Sequence, residues 1–342
     1  MLLNYLLTAL APLLGGGNAL ISSRLASDKF FSKDYTNVLK GLCCIIVIYV
    51  HVGASHGNTL QDAIGSFAYV CVTLFFLISA YGMMLSAEKK KDYLKHFWRN
   101  RLVALLIPCL LINIVSYAFN LTKGTAQWSM LYNINHYVQV LLQFCVWFYI
   151  VEICKRRWFA DKTKLVDCLL IVGVAISSIL LYVFVHGEVS AQSGWCFERM
   201  GLVWGILLYR YYNKIVGWMD KHRLAKVVVL CIISGLLGVA YLKYKTVWLW
   251  GEYLLKIVLG VAIIMFLFTA TSNRSFGNKV AHWLGDISYE VYLSHGFIMG
   301  VLAYFCAGLQ SGVFILSTVI LTLGFSTIIH SIAKPIVRKL RK

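Results

Sequence analysis

Lys40 and His51 bracket one otherwise apolar stretch, Lys40-Gly-Leu-Cys-Cys-Ile-Ile-Val-Ile-Tyr-Val-His51. Eleven helical steps of 100° return a side chain to within about 20° of its starting direction, roughly 16 Å further along the axis. The pair therefore predicts one helix face with a cation at one end, an imidazole at the other and a continuous track between them. An ammonium group holds phosphate, and a neutral imidazole takes a proton from a hydroxyl near pH 7. On spacing alone this competes with a plainer reading, a snorkelling lysine and a polar histidine near the opposite interface.

Other polar residues join the candidate set. Arg99 and Arg101 close the basic run Phe97-Trp98-Arg99-Asn100-Arg101 and add two phosphate partners. Ser79, Tyr81, Tyr289 and Tyr292 carry hydroxyls suited either to a carbonyl substrate or to helix packing. His295 lies deep in a later apolar run, on a different helix face from Glu290. Glu152 is expected to pair with Arg156 or Arg157, one turn away. Glu198 and Arg199 adjoin a short apolar run, where an unpaired charge costs about 2.5–3.5 kcal/mol. They suit either pairing between helices or an aqueous cavity. Ten cysteines show no CxxC pair and no zinc-like spacing with histidine, so neither a disulfide framework nor a metal site is expected.

These residues must be positioned by helices in lipid. Of 342 residues, 60% are hydrophobic and 13% charged, about half the charged share of a soluble domain. The mean hydropathy is +0.74. Ten apolar segments approach the ~20 residues needed to cross a bilayer: 37–55, 64–86, 98–119, 136–153, 165–186, 196–212, 225–242, 250–271, 284–306 and 311–333. The sixth is the shortest and contains Glu198 and Arg199. Backbone satisfaction in lipid makes them helices, and no alternating pattern suggests a barrel. The fold expected is thus an all-α integral membrane bundle of about ten transmembrane helices.

The net charge of +18 would suggest nucleic acid in a soluble protein, but here the basic residues cluster in alternate connections. Lys123, Lys243 and Lys245 alone fall on the other side. The positive-inside rule then puts the Lys40 end of the first span and the C-terminus in the cytoplasm, and no nucleic-acid partner is expected. The domain reading is an apolar and basic N-terminal segment, 1–33, a membrane domain, 34–333, and a basic cytoplasmic tail, 334–342. Residues 1–21 suit an extra span, a re-entrant piece or an interfacial helix. Gly201-x3-Gly205 reads as close helix packing.

A basic residue separated by ten residues from a histidine in the first span resembles the signature of acyltransferase family 3, multi-spanning bacterial O-acyltransferases of surface glycans. Phe75-Phe-Leu-Ile-Ser79-Ala-Tyr81-Gly82 is similar to the family's FFxxSGY-type second span, with Ala80 where glycine is usual. The run through Arg101 to Pro108 resembles its RxxR-to-proline third span, with Ala104 at the second arginine position and Arg99 as the alternative cation. Trp147-Phe148 with Glu152, and Gly285-Asp-Ile-Ser-Tyr289-Glu-Val-Tyr292-Leu-Ser-His295, are similar to two later segments.

The resemblance implies acyl transfer at His51, with Lys40, Arg99 and Arg101 holding an acyl-coenzyme A donor, expected to be acetyl-CoA. Ser79, Tyr81, Tyr289 and His295 are the expected substrate-binding residues. The acceptor would be a hydroxyl of a glycan or lipid-linked sugar, and the setting a bacterial plasma membrane with lipids as the surrounding partner. General base catalysis by His51 is the simpler route beside a transient acyl-histidine. The alternative is a transporter or lipid-linked glycan flippase without covalent chemistry, against which the absence of a visible inverted repeat counts. A non-catalytic scaffold is a third reading.

Overall fold

The computed structural model describes residues 21–25, 30–52, 59–159, 162–185 and 195–341. Residues 1–20 of the apolar N-terminal segment, and His56 and His186, lie outside them. A short antiparallel ladder pairs β1 (Ile21–Leu25) with β2 (Arg274–Phe276). The other regular elements among the described residues are helical.

The helices in chain order are α1 (Lys33–Val50), α2 (Thr59–Phe67), α3 (Tyr69–Lys89), α4 (Phe97–Thr122), α5 (His136–Trp158) and α6 (Thr163–Val185). There follow α7 (Met200–Arg210), α8 (Tyr212–Asp220), α9 (Arg223–Tyr244), α10 (Lys256–Thr271), α11 (Lys279–Phe305) and α12 (Ser311–Arg341). A π-helical turn, Trp250–Leu255, leads into α10. Each of the ten apolar segments thus contains a helix. Seven helical stretches among the described residues are long and apolar enough to cross a membrane: Ala63–Lys89, Phe97–Thr122, His136–Trp158, Thr163–Phe184, Arg223–Tyr244, Trp250–Thr271 and Ser311–Arg341.

The first helix begins earlier than the apolar pattern. Ser32 caps it, accepting from the Tyr35 amide at 3.3 Å, with Asp34 in the first turn. Its last residue is Val50, so His51 is the residue that ends the helix rather than one inside it.

Two glycine contacts set the helix arrangement. A Cβ on Gly201 would collide with the Thr73 carbonyl, and one on Gly205 with the Leu77 carbonyl and the Ala80 side chain. Gly201-x3-Gly205 therefore lets α7 lie against α3 at backbone distance. Gly41 and Gly285 do the same for α1 and α11: Gly41 abuts Ala281 and Gly285, and Gly285 abuts Asn37.

Polar clamps lock the ends. Arg210 donates to Glu88 Oε1 at 2.9 Å and to Asp167 Oδ1 at 2.8 Å, tying α7 to α3 and α6. Asp167 is buried, so Arg210→Met strands a carboxylate without its cation at a cost of about 1–3 kcal/mol. A lower thermal midpoint in detergent is the expected result, with Glu88→Gln, at the exposed partner, changing it little.

Candidate active site

The α1–α11 contact brings two imidazoles together. The Gly41–Gly285 contact and the His51–His295 contact are each ten residues apart along their helices, so the two helices run parallel in fixed register. The rings of His51 and His295 lie 4.6 Å apart between centroids, inclined at 60°. His51 Nδ1 is 2.9 Å from the Val47 carbonyl, and His295 Nδ1 is 3.2 Å from the Val291 carbonyl. A carbonyl only accepts, so each Nδ1 carries the hydrogen, and in the neutral ring Nε2 is then the atom with the lone pair. Two imidazoles whose Nδ1 atoms are held by their own helices thus share one spot. His51 is exposed and His295 is buried at 7%.

One cavity of about 200 Å³ gathers Lys40, Ser79, Arg101, Asp286, Tyr289 and Tyr292. Lys40 comes from α1, Ser79 from α3, Arg101 from α4 and the last three from α11. Arg101 donates to the Tyr93 hydroxyl at 3.1 Å, and its guanidinium lies 5.9 Å from the centre of the Phe97 ring. Burial pushes the Tyr93 phenol up from its ordinary value, which keeps it a neutral acceptor for Arg101. Asp286 accepts from Asn37 Nδ2 at 2.9 Å. Two cations and one hydrogen-bonded carboxylate therefore line a narrow cleft.

The expected open track from Lys40 to His51 is filled. Cys44 and Val47, between them on that face of α1, are 0% and 2% exposed, and His51 does not line the cavity. Tyr292 stands at the boundary. It lines the cavity, and its ring lies 6.0 Å from that of His295 and 5.0 Å from that of Tyr137. The cation pocket and the imidazole pair thus meet across one aromatic side chain.

The remaining candidates divide. Ser79 lines the cavity while its hydroxyl donates to the Phe75 carbonyl at 2.8 Å, and Tyr289 lines it while donating to the Leu105 carbonyl at 2.8 Å. Tyr81 sits elsewhere, its ring 4.7 Å from Phe31 and 5.6 Å from Tyr209. Arg99 is exposed and donates to the Arg341 carbonyl at 2.9 Å, away from the cavity. Tyr137 and Asp286 line the cavity without having been singled out. Asp286 had a signal, its place between Gly285 and Tyr289. Tyr137 had none, because its role follows from α5 packing on α3 and α11.

Glu152 pairs with Lys155 at 3.6 Å rather than with Arg156 or Arg157. Arg156 is taken up by the Lys91 and Ala87 carbonyls, and the Arg157 guanidinium lies over the Trp158 ring. Glu198 and Arg199 are both buried, in the turn that precedes α7. Arg199 donates to the Trp195 carbonyl and to Ser177 Oγ, and it lines a second cavity of about 150 Å³ between α5 and α6.

The sequence model of a family described as "Acyltransferase domain" matches residues 33–331. The chain belongs to the acyltransferase family. No curated protein and no solved structure matches it. In this acyltransferase the matched region runs from the start of α1 into α12, so Lys40, the cavity and both imidazoles fall inside it. The apolar helices and the family together make it a membrane acyltransferase.

Proposed function

We propose that this membrane acyltransferase moves an acyl group, acetyl in the simplest case, from cytoplasmic acyl-coenzyme A to a hydroxyl of a surface or lipid-linked glycan, with His51 as general base. The observation that carries this reading is the meeting of a dicationic cleft, Lys40 with Arg101, and an imidazole pair across Tyr292. A cleft of about 200 Å³ suits a slender arm rather than a whole nucleotide, since whole-ligand pockets run about 300–1,000 Å³. Pantetheine is such an arm. Phosphates then stay with the cations at the mouth, and the thioester advances toward Tyr292, whose side chain must move to admit it.

Transfer balances within the site. The acceptor oxygen attacks the thioester carbonyl while His51 Nε2 takes the hydroxyl proton. The tetrahedral intermediate collapses, the carbon–sulfur bond breaks, and the imidazolium returns the proton to the departing thiolate. The Nδ1–H bond to Val47 holds the ring in the tautomer this requires. Buried His295 braces the His51 ring and supplies a second Nε2 for the acceptor hydroxyl.

The topology proposed is ten crossings with the C-terminus in the cytoplasm. Three features support it. The α1–α11 and α3–α7 pairs, odd with odd and even with even in span order, run parallel. Successive spans α6 and α7 run antiparallel, with Ser178 bonded to Cys196 O and Asp167 to Arg210. The end of α12 also bonds to the start of α4, beside the basic Lys89–Arg101 connection. A bacterial plasma membrane is the setting in which the positive-inside asymmetry and a surface glycan acceptor agree.

Mass spectrometry of surface glycans from cells with and without the protein tests this reading. Loss of an acetyl mass increment on deletion, restored by the wild-type chain and not by His51→Ala, is the expected result. Unchanged glycans, with no acetyl-CoA turnover by the purified protein, would return the chain to the transporter class.

A further inference from the structure

Coenzyme A presents two anionic groups, a pyrophosphate in line with pantetheine and a separate 3′-phosphate on the ribose. The monoester alone carries about −1.5 to −2 charges at pH 7. Lys40 and Arg101 line the cleft where the arm enters, so the monoester, projecting sideways from the ribose, needs its own partner at the mouth.

The last turn of α12 lies against the start of α4, two residues before Arg101. Arg99 Nη2 donates to the Arg341 carbonyl at 2.9 Å, and Arg341 Nη2 donates to the Asn100 carbonyl at 3.1 Å. These reciprocal bonds hold Arg341 beside Arg101, within electrostatic range of it. The arrangement brings three arginines from two helices to the start of α4, the helix whose Arg101 lines the cleft. Like charges held this close repel, and a doubly charged anion between them reverses the sign. Arg341 is exposed, so a ligand reaches it without unfolding the helix end.

Resting on the acyl-coenzyme A reading above, we propose that Arg341, with Arg101, forms the subsite for the 3′-phosphate of coenzyme A. Arg99 is the positioning residue that fixes Arg341 through its carbonyl. The fork of a guanidinium matches the phosphate oxygens, whereas Arg338 and Lys339, exposed on the same turn, have no such tether to α4.

Binding isotherms with the full-length protein in nanodiscs test this, using coenzyme A and 3′-dephospho-coenzyme A as probes. The wild type is expected to bind the dephospho probe about tenfold more weakly. Arg341→Gln should bind coenzyme A about tenfold more weakly than wild type, and the dephospho probe equally well. Arg99→Gln should show a smaller loss, again confined to the probe with the 3′-phosphate, which a merely structural defect would not reproduce. Equal Kd values for the two probes on the wild type overturn the assignment without any variant. So does an Arg341→Gln loss of the same factor for both probes, or no loss. A wild type that binds neither probe brings down the coenzyme A reading itself, a different and separately visible failure.

Discussion

His51→Ala is expected to lower acyl transfer by about 10²–10⁴-fold, the usual contribution of a positioned general base. His51 is exposed and ends α1, so the substitution leaves the core untouched and stability within about 0.5 kcal/mol. The measurement is acetyl-CoA-dependent transfer in membranes at matched protein levels. His295→Gln should cost less, because that ring braces and orients. The double variant should be little worse than His51→Ala alone, since residues acting as a unit do not add. Wild-type transfer by His51→Ala would remove the general base from the mechanism. Full additivity of the two losses would separate the rings functionally despite their 4.6 Å contact.

The second large effect is expected far from the imidazoles. Gly285→Leu places a side chain where the Asn37 backbone lies, so α1 and α11 must separate. Separation breaks the Asn37 bonds to His282 O and Asp286 Oδ1, at 3.1 and 2.9 Å, and pulls His51 away from His295. A displacement of about 1 Å at reacting groups costs on the order of 10²-fold in rate, and overpacking adds about 1–3 kcal/mol of destabilisation. Transfer is therefore expected to fall by at least about 10²-fold, with a lower thermal midpoint. Gly300→Ala, on the same helix with open space at its Cβ, is the control. Alanine there improves helix propensity and should leave activity intact. If Gly285→Leu retained full activity, backbone-distance packing of α1 on α11 would not be what aligns the site.

Much of the candidate cavity was legible in the residues themselves. Lys40 and Arg101 reach one cavity, as their common basic side of the chain implied. Ser79 and Tyr289 reach it too, though each hydroxyl is spent on a helix carbonyl. Gly201-x3-Gly205 was readable as a packing motif because small residues four apart leave a groove on one helix face. The readings that shifted involved long, flexible or cap-dependent groups. Arg99 is one residue from Asn100 and two from Arg101, yet its guanidinium serves α12, since a side chain of that length takes whichever carbonyl the fold presents. Glu152 found Lys155 rather than Arg156, because Arg156 was claimed by two carbonyls of another helix end.

Apolar run length, basic clustering and helical spacing are properties of neighbouring residues. They were enough to specify lipid-embedded helices and a face carrying Lys40 and His51. Which helix lies against that face depends on residues more than two hundred positions away, where Gly285 lets α11 approach Gly41 in register. That approach alone set His295 against His51, interposed Tyr292 before them and left Cys44 and Val47 filling the expected passage. Periodicity names the face of a helix, but shape complementarity between distant segments names its partner.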